Sequence, residues 1–262
     1  MNDASGIAER IRSGTAVVTG AGSGLGRALA LKLAEEGMRV AGLGRRDAPL
    51  HAVAEAASGG RFHPFAVDIR QQEALTAVFA RIRDEIGPVT LLINNAAVYP
   101  HRDILDETPE SFMQTVGINL AGTFNCCHAV LPGMVEEGYG RIVNVGSFAG
   151  ERPAPAAAAY SVSKGAARIL TRALVADLGD RFPDIVINEW MPGVLNTEMG
   201  LADGLDPEAA AVWGANLALR HDRGLSGAVF ERDQEVLPPV SLKRRLFNKL
   251  TGQGRVARQL GG

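Results

Sequence analysis

The sequence predicts an α/β fold, a doubly wound parallel sheet of about seven strands with helices on both faces. Short apolar runs rich in β-branched residues alternate about six times with longer segments of helical periodicity. The 262 residues, 46% hydrophobic and 21% charged, are enough for one large domain with a sizeable core. No linker, repeat or low-complexity tract divides them, and the Pro/Ala stretch from Pro153 to Ala159 is short enough to be a loop opening a helix.

The first strand is expected from Thr15 to Thr19, running through a glycine-rich turn into a helix from Leu25 to Glu36. The second, Arg39 to Leu43, leads to a helix from Ala48 to Ala57, and the third, Phe62 to Val67, to one from Gln71 to Ile86. Val89 to Asn94 precedes a long helix from Pro109 to Glu137, and Arg141 to Gly146 precedes another from Ala156 to Arg181. Ile185 to Glu189, a helix from Pro207 to Ala218 and a last strand from Ala228 to Glu231 complete the pattern. Right-handed crossovers place each helix over the sheet and make the strands parallel. Residues 1–240 are read as this domain and residues 241–262 as a basic amphipathic tail.

Composition excludes disorder, collagen and a small disulfide scaffold. No stretch approaches the roughly 18 apolar residues of a membrane span, and Met1 to Gly14 has no apolar signal core, so a soluble, cytoplasmic protein is expected. The two cysteines, Cys126 and Cys127, are adjacent, which gives neither a loop-closing disulfide nor the spacing of a metal site. A net charge of −2 argues against a general nucleic-acid binder. It conceals six basic residues and no acid from Ser241 onward, which leaves 21 basic against 29 acidic residues, a net −8, for the body.

The turn Gly20-Ala21-Gly22-Ser23-Gly24-Leu25-Gly26 sits where the first strand meets the first helix. Its glycines let the backbone approach a pyrophosphate, and the free N–H groups of the helix start favour negative charge. At the end of the second strand a carboxylate would mark an NAD site; here stand Gly44, Arg45 and Arg46. Two guanidiniums suit a 2'-phosphate, so NADP(H) is expected in preference to NAD(H), the alternative being a solvated Arg pair. Asp68, with Ile69 beside it, either accepts from the adenine amino group or caps the next helix. Asn95, Ala96 and Ala97 close the fourth strand with side chains small enough to let a flat ring pass.

Tyr160 and Lys164 stand at i, i+4 on the long fifth helix, so the ammonium is expected to lower the phenol pKa and make a usable general acid. Ser147 ends the preceding strand. The carboxyl ends of strands are where ligands bind in open α/β sheets, and Ser147, Asn95 and the glycine-rich turn all fall there.

Taken in order, Thr19-Gly20-xxx-Gly24-x-Gly26, Asp68, Asn94-Asn95-Ala96, Asn119, Ser147, Tyr160-xxx-Lys164 and Pro192-Gly193 followed by Thr197 resemble the short-chain dehydrogenase/reductase family over roughly Thr15 to Phe230. The resemblance implies a single-domain Rossmann fold and hydride transfer between a carbonyl and a secondary alcohol. It implies Tyr160 as acid/base and Ser147 as hydrogen-bond partner of the carbonyl oxygen. Lys164 would hold the nicotinamide ribose, and Asn119 would kink the fourth helix and anchor a water. The backbone at Pro192, Gly193 and Val194 and the Thr197 hydroxyl would hold the carboxamide and pyrophosphate. Two departures stand out: Ala97 replaces the usual Gly, and Asn188-Glu189-Trp190-Met191 is bulkier and more polar than usual, shaping the pocket or facing a neighbouring subunit.

The pocket walls are expected from Val98 to Arg102, Phe148 to Pro155 and Val194 to Leu205. Tyr99 and Phe148 would be apolar walls, His101, Arg102 and Arg152 anion contacts, and Asn196 to Asp206 a small lid. That favours an extended or tethered substrate over a deeply enclosed steroid-like one. A 3-oxoacyl thioester is the leading candidate and a sugar or polyol the nearest competitor; a non-enzymatic dinucleotide sensor would not need Ser147, Tyr160 and Lys164. Leu242, Leu246, Phe247 and Leu250 recur at helical spacing among Lys243, Arg244, Arg245 and Lys249. Such a helix packs on its own fold or an oligomer interface, docks an acidic carrier protein, or lies on an anionic membrane. The long fourth and fifth helices are expected faces of a homodimer or homotetramer.

Overall fold

A computed structural model of the chain describes residues 4–238 and 256–261. Its strands are β1 Thr15–Thr19, β2 Arg39–Gly44, β3 Phe62–Ala66, β4 Val89–Asn94, β5 Gly140–Val145, β6 Ile185–Met191, β7 Val229–Glu231 and β8 Gln234–Val236. They form one sheet in the order β3-β2-β1-β4-β5-β6-β7-β8, with the first seven parallel and β8 antiparallel to β7. All seven expected strands are present, and β8 is an addition.

The helices are α1 Ala4–Ser13, α2 Gly24–Glu35, α3 Asp47–Ala56, α4 Gln72–Glu85, α5 Pro109–Val116, α6 Gly122–Glu137, α7 Ala158–Leu178 and α8 Pro207–Leu219. They cover both faces, so the strands are apolar on both sides. Along β1, Ala16 and Val18 pack beneath α2 and α8, while Val17 packs on the other face with α4 and α6. Helix α1, which the sequence reading lacked, buries Ile7 and Ile11 against Tyr139, and Thr90 Oγ1 donates to its Ile11 carbonyl at 2.7 Å. The single long helix expected from Pro109 to Glu137 is interrupted by a π-helical turn, Gly117–Ala121, between α5 and α6.

Strand β1 has β2 on one side and β4 on the other, so the chain reverses direction across the sheet there and opens a crevice at the carboxyl ends. The outer strand β3 carries Pro64 at its centre, paired in register with Gly42. At the other edge, residues 256–261 return to the body. Gln259 bridges to Gln234, Arg258 pairs with Glu235 and Asp222, and Leu260 is buried in the core shared by α2 and α8. The expected amphipathic helix around Leu242, Leu246, Phe247 and Leu250 lies outside the described residues.

Candidate active site

Every expected cofactor position falls at the carboxyl edge of the sheet. Thr19 closes β1, and its hydroxyl accepts from the backbone N–H of Asn95 and Ala96 at 3.0 and 2.9 Å. Asn95 Nδ2 donates back to the Thr19 carbonyl at 2.9 Å, so the ends of β1 and β4 are locked together. Sequence reasoning placed Thr19 in a motif but missed this role, which only the β1–β4 adjacency gives it. The turn that follows needs Gly20 at φ +69, and at Gly26 a methyl would lie 2.2 Å from the Gly20 carbonyl oxygen. Leu25 and Ile69 are buried. Thr197 lies against Gly24, so the loop after β6 meets the glycine-rich turn.

These features fit a dinucleotide. The start of α2 has no acidic side chain in its first turn and no side-chain cap from exposed Ser23, which leaves its N–H groups for an anion. Gly22 adds no side chain to the mouth of the turn. Beyond Gly44, Arg45 and Arg46 are exposed, and the Arg45 charge also acts on the Asp68 carboxylate. Asp68 takes neither role unopposed. Its carboxylate accepts from the Arg70 backbone N–H and pairs with the Arg70 guanidinium at 2.6 Å, which holds its pKa below the usual carboxylate range, and α4, preceded by Gln71, starts without a side-chain cap. Ala96 and Ala97 are half-buried beside Asn95. Pro192 is buried, whereas Gly193 and Val194 are exposed on the loop after β6.

The catalytic candidates lie together at the carboxyl ends of β4 and β5 and the start of α7. Tyr160, on the first turn of α7, lies beside Ser147 at the end of β5, whose hydroxyl favours the phenolate. Lys164 is buried one turn on, donates from Nζ to the Val145 carbonyl at 2.7 Å, and lies 6.0 Å from the Tyr160 ring centre. Asn119 sits in the π-helical turn. Its Oδ1 accepts from Val98 N–H at 2.8 Å, and its Nδ2 donates to the Val98 carbonyl and to Ser163 Oγ, both at 3.0 Å. It thereby ties the loop after β4 to the helix of Tyr160.

One electrostatic expectation is reversed. Burial holds the Tyr160 phenol above its ordinary pKa, Ser147 pulling the other way and Tyr99 adding to the rise, so desolvation outweighs any help from the ammonium. Burial also brings Lys164 down to about 8, opposed by Glu189.

The Tyr99 ring stacks on Tyr160, centres 4.5 Å apart, and on its other face stacks His101 at 3.7 Å. Arg102, expected as an anion contact, is instead paired with half-buried Glu107 at 2.9 Å. Phe148 stays half-exposed at the mouth with Arg152 over its ring. His101, Ala156 and Arg232 adopt left-handed conformations, and all three lie in loops at this edge of the sheet. The expected lid is a compact loop whose neck is closed by hydrogen bonds between Asn196 N–H and the Leu205 carbonyl and between Leu205 N–H and the Val194 carbonyl. The polar stretch of β6 neither lines the pocket mouth nor faces outward: Asn188, Glu189, Trp190 and Met191 are all buried in the sheet, with Trp190 Nε1 donating to the Arg232 carbonyl.

Residues 14–206 match the family model described as short chain dehydrogenase. The chain is 37% identical to carbonyl reductase [NADPH] 2 of Sus scrofa over 74% of this chain and 77% of that one. It is 34% identical to galactitol 2-dehydrogenase (L-tagatose-forming) of Cereibacter sphaeroides, over 78% and 80% of the two chains. To L-xylulose reductase of Mesocricetus auratus it is also 34% identical, over 75% and 78%.

Proposed function

From the premise that this chain belongs to the short-chain dehydrogenase family, and is an oxidoreductase of carbonyl and alcohol groups, we propose that it is an NADP(H)-dependent carbonyl reductase. The observation that carries the cofactor preference is the end of β2, where Gly44 leaves no carboxylate to repel a 2'-phosphate and Arg45 and Arg46 stand exposed to pair with one. The name of the porcine relative points the same way.

When bound, the dinucleotide supplies the hydride. Tyr160 gives its phenolic proton to the carbonyl oxygen. Ser147 hydrogen-bonds the same oxygen and stabilises its developing charge. The Lys164 ammonium lies near enough to favour the phenolate left behind, which regains its proton from solvent. Asn119 holds Val98 and Ser163, and through them the wall facing Tyr160.

The substrate is proposed to be an extended carbonyl compound with an apolar arm, a 3-oxoacyl thioester foremost. Ile104, Leu105, Phe148, Val194 and Leu201 all stand exposed on the loops that follow β4, β5 and β6. A sugar or polyol is the second reading, favoured by the names of the bacterial and hamster relatives. Met113 and Phe124 on α5 and α6, with Val162 and Ile169 on α7, are exposed apolar residues that support a homodimer or homotetramer through these helices. Docking of an acidic carrier by the basic residues after Ser241 is tested by neutralising Lys243, Arg244, Arg245 and Lys249. Truncation would remove Leu260 from the core as well.

Calorimetric titration of the purified protein with NADPH and with NADH tests the cofactor assignment. NADPH should bind more tightly, and Arg45→Asp should reverse the order. A ratio of affinities unchanged by that substitution overturns the assignment.

A further inference from the structure

Strand β6 carries a charge that the reaction above does not use. Glu189 projects from the same face as Ile185 and Ile187, toward α7, and is 3% exposed. Its carboxyl lies against the backbone of β5, where a methyl on Gly146 would fall 2.3 Å from Oε1, so the position before Ser147 has room only for hydrogen. Lys164 Nζ donates at 2.7 Å to the carbonyl of Val145, the residue next to Gly146, so ammonium and carboxyl meet at the same stretch of chain. Arg168 and Arg172 follow Lys164 at four-residue spacing on α7, and all three cations act on this carboxylate. Arg168 Nε lies 2.8 Å from Glu189 Oε2, and both side chains are buried. Arg168 Nη1 also pairs with Glu151, which ends the short turn Phe148–Gly150 behind Ser147.

We propose that Glu189 is the counter-ion that keeps Lys164 charged in its buried place, and that Arg168 fixes both that carboxylate and, through Glu151, the segment following Ser147. Both are positioning residues, and the proposal rests on the reductase reading. A carboxylate sealed in the sheet has little solvent to screen it, so its field reaches the ammonium even with Arg168 paired beside it. The charged and titratable groups concerned are Tyr160, Lys164, Arg168 and Arg172 on α7, Glu189 on β6 and Glu151 after β5.

The test is a pH titration of the lysine side-chain carbons by NMR in protein labelled with 13C-lysine. There are only four lysines, Lys32, Lys164, Lys243 and Lys249, and Lys164→Arg assigns the resonance. Glu189→Gln should lower the Lys164 midpoint by about one pH unit or more. Arg168→Gln should raise it, and Arg172→Gln, an exposed position that leaves the fold undisturbed, should raise it less. Shifts of opposite sign are what a charge assembly requires; no shift, or shifts of one sign in all three variants, overturns the proposal. In turnover, Glu189→Gln should move the alkaline limb of carbonyl reduction to lower pH by the same interval, whereas an equal loss at every pH overturns it. The NMR arm uses neither dinucleotide nor carbonyl, so its outcome is independent of whether the reductase reading holds.

Discussion

Replacing Gly26 by alanine adds one methyl group for which the turn has no space. The new carbon would lie 2.2 Å from the Gly20 carbonyl oxygen and 2.5 Å from Asn95 Nδ2, against at least 3.4 Å for ordinary contact. Neither neighbour can yield alone, because Gly20 is backbone and Asn95 Nδ2 is held by the Thr19 carbonyl at 2.9 Å. The turn must retreat from α2 by about an ångström, an overpacking cost of about 1–3 kcal/mol, and loss of the Asn95 hydrogen bond adds ~1 kcal/mol. Alanine's better helix propensity returns up to ~1 kcal/mol, leaving about 1–3 kcal/mol net, or roughly 2–12 °C in Tm. NADPH affinity should fall at least tenfold, since the same retreat moves the N–H groups away from the pyrophosphate. Gly22→Ala is the control, with the nearest atom to its methyl, Pro49 Cβ, at 3.2 Å and no left-handed backbone. Its Tm should stay within about 2 °C of wild type. The measurements are thermal unfolding by circular dichroism and calorimetric titration with NADPH. Gly26→Ala protein matching wild type in both would refute the reading of this turn.

Tyr160→Phe should lower carbonyl turnover by at least about 100-fold while leaving NADPH affinity within about twofold; steady-state kinetics and titration together check this. Tyr99→Leu removes a stack of the kind that contributes about 0.5–1.5 kcal/mol, so kcat should fall by up to about tenfold, whereas Tyr99→Phe should stay near wild type. Leu260→Ala should cost about 2–4 kcal/mol in urea unfolding, because its side chain is 3% exposed in the α2–α8 core. Asp184 is held below its usual pKa by the Arg223 guanidinium at 2.6 Å, so the pair's contribution is complete above the ordinary carboxylate value and lost as pH falls through the lower folded one. Asp184→Asn should therefore be slightly less stable than wild type at pH 7, Arg223 being largely exposed, and the gap should close as pH falls below the ordinary carboxylate range.

What could be read from the sequence was whatever is local. Strand β1, its glycine turn and α2 are contiguous, so their chemistry stands in adjacent residues, and Tyr160 and Lys164 show their shared face by spacing alone. Roles that depend on contacts between distant segments were hidden. Thr19 matters because β4 happens to lie beside β1, and Tyr99 because its loop folds back over α7. Glu189 looked like an intrusion of charge into an apolar strand until α7 was seen to bring Arg168 against it. Helix α1 carries only Ile7 and Ile11 as its apolar signal, and β8 is three residues long, too short for alternation to register. The direction of the Tyr160 shift was missed because spacing reveals a neighbour's charge but not the loss of water around the phenol.

Parallel pairing fixes which way each N–H of the outer strand β3 points. Val67 N–H donates inward to the Gly44 carbonyl at 2.8 Å, so by alternation the N–H positions of Phe65 and His63 also face β2, and that of residue 64 faces outward. Proline occupies it, and proline has no N–H to offer. A foreign strand arriving at this rim finds the central donor missing, while the opposite rim is already engaged by the chain's own Gln259. The sheet is thus protected at both ends against growth by added strands, the route by which exposed edges template aggregates. The proposed homo-oligomer is left to the helical faces, where shape and side-chain identity decide the partner.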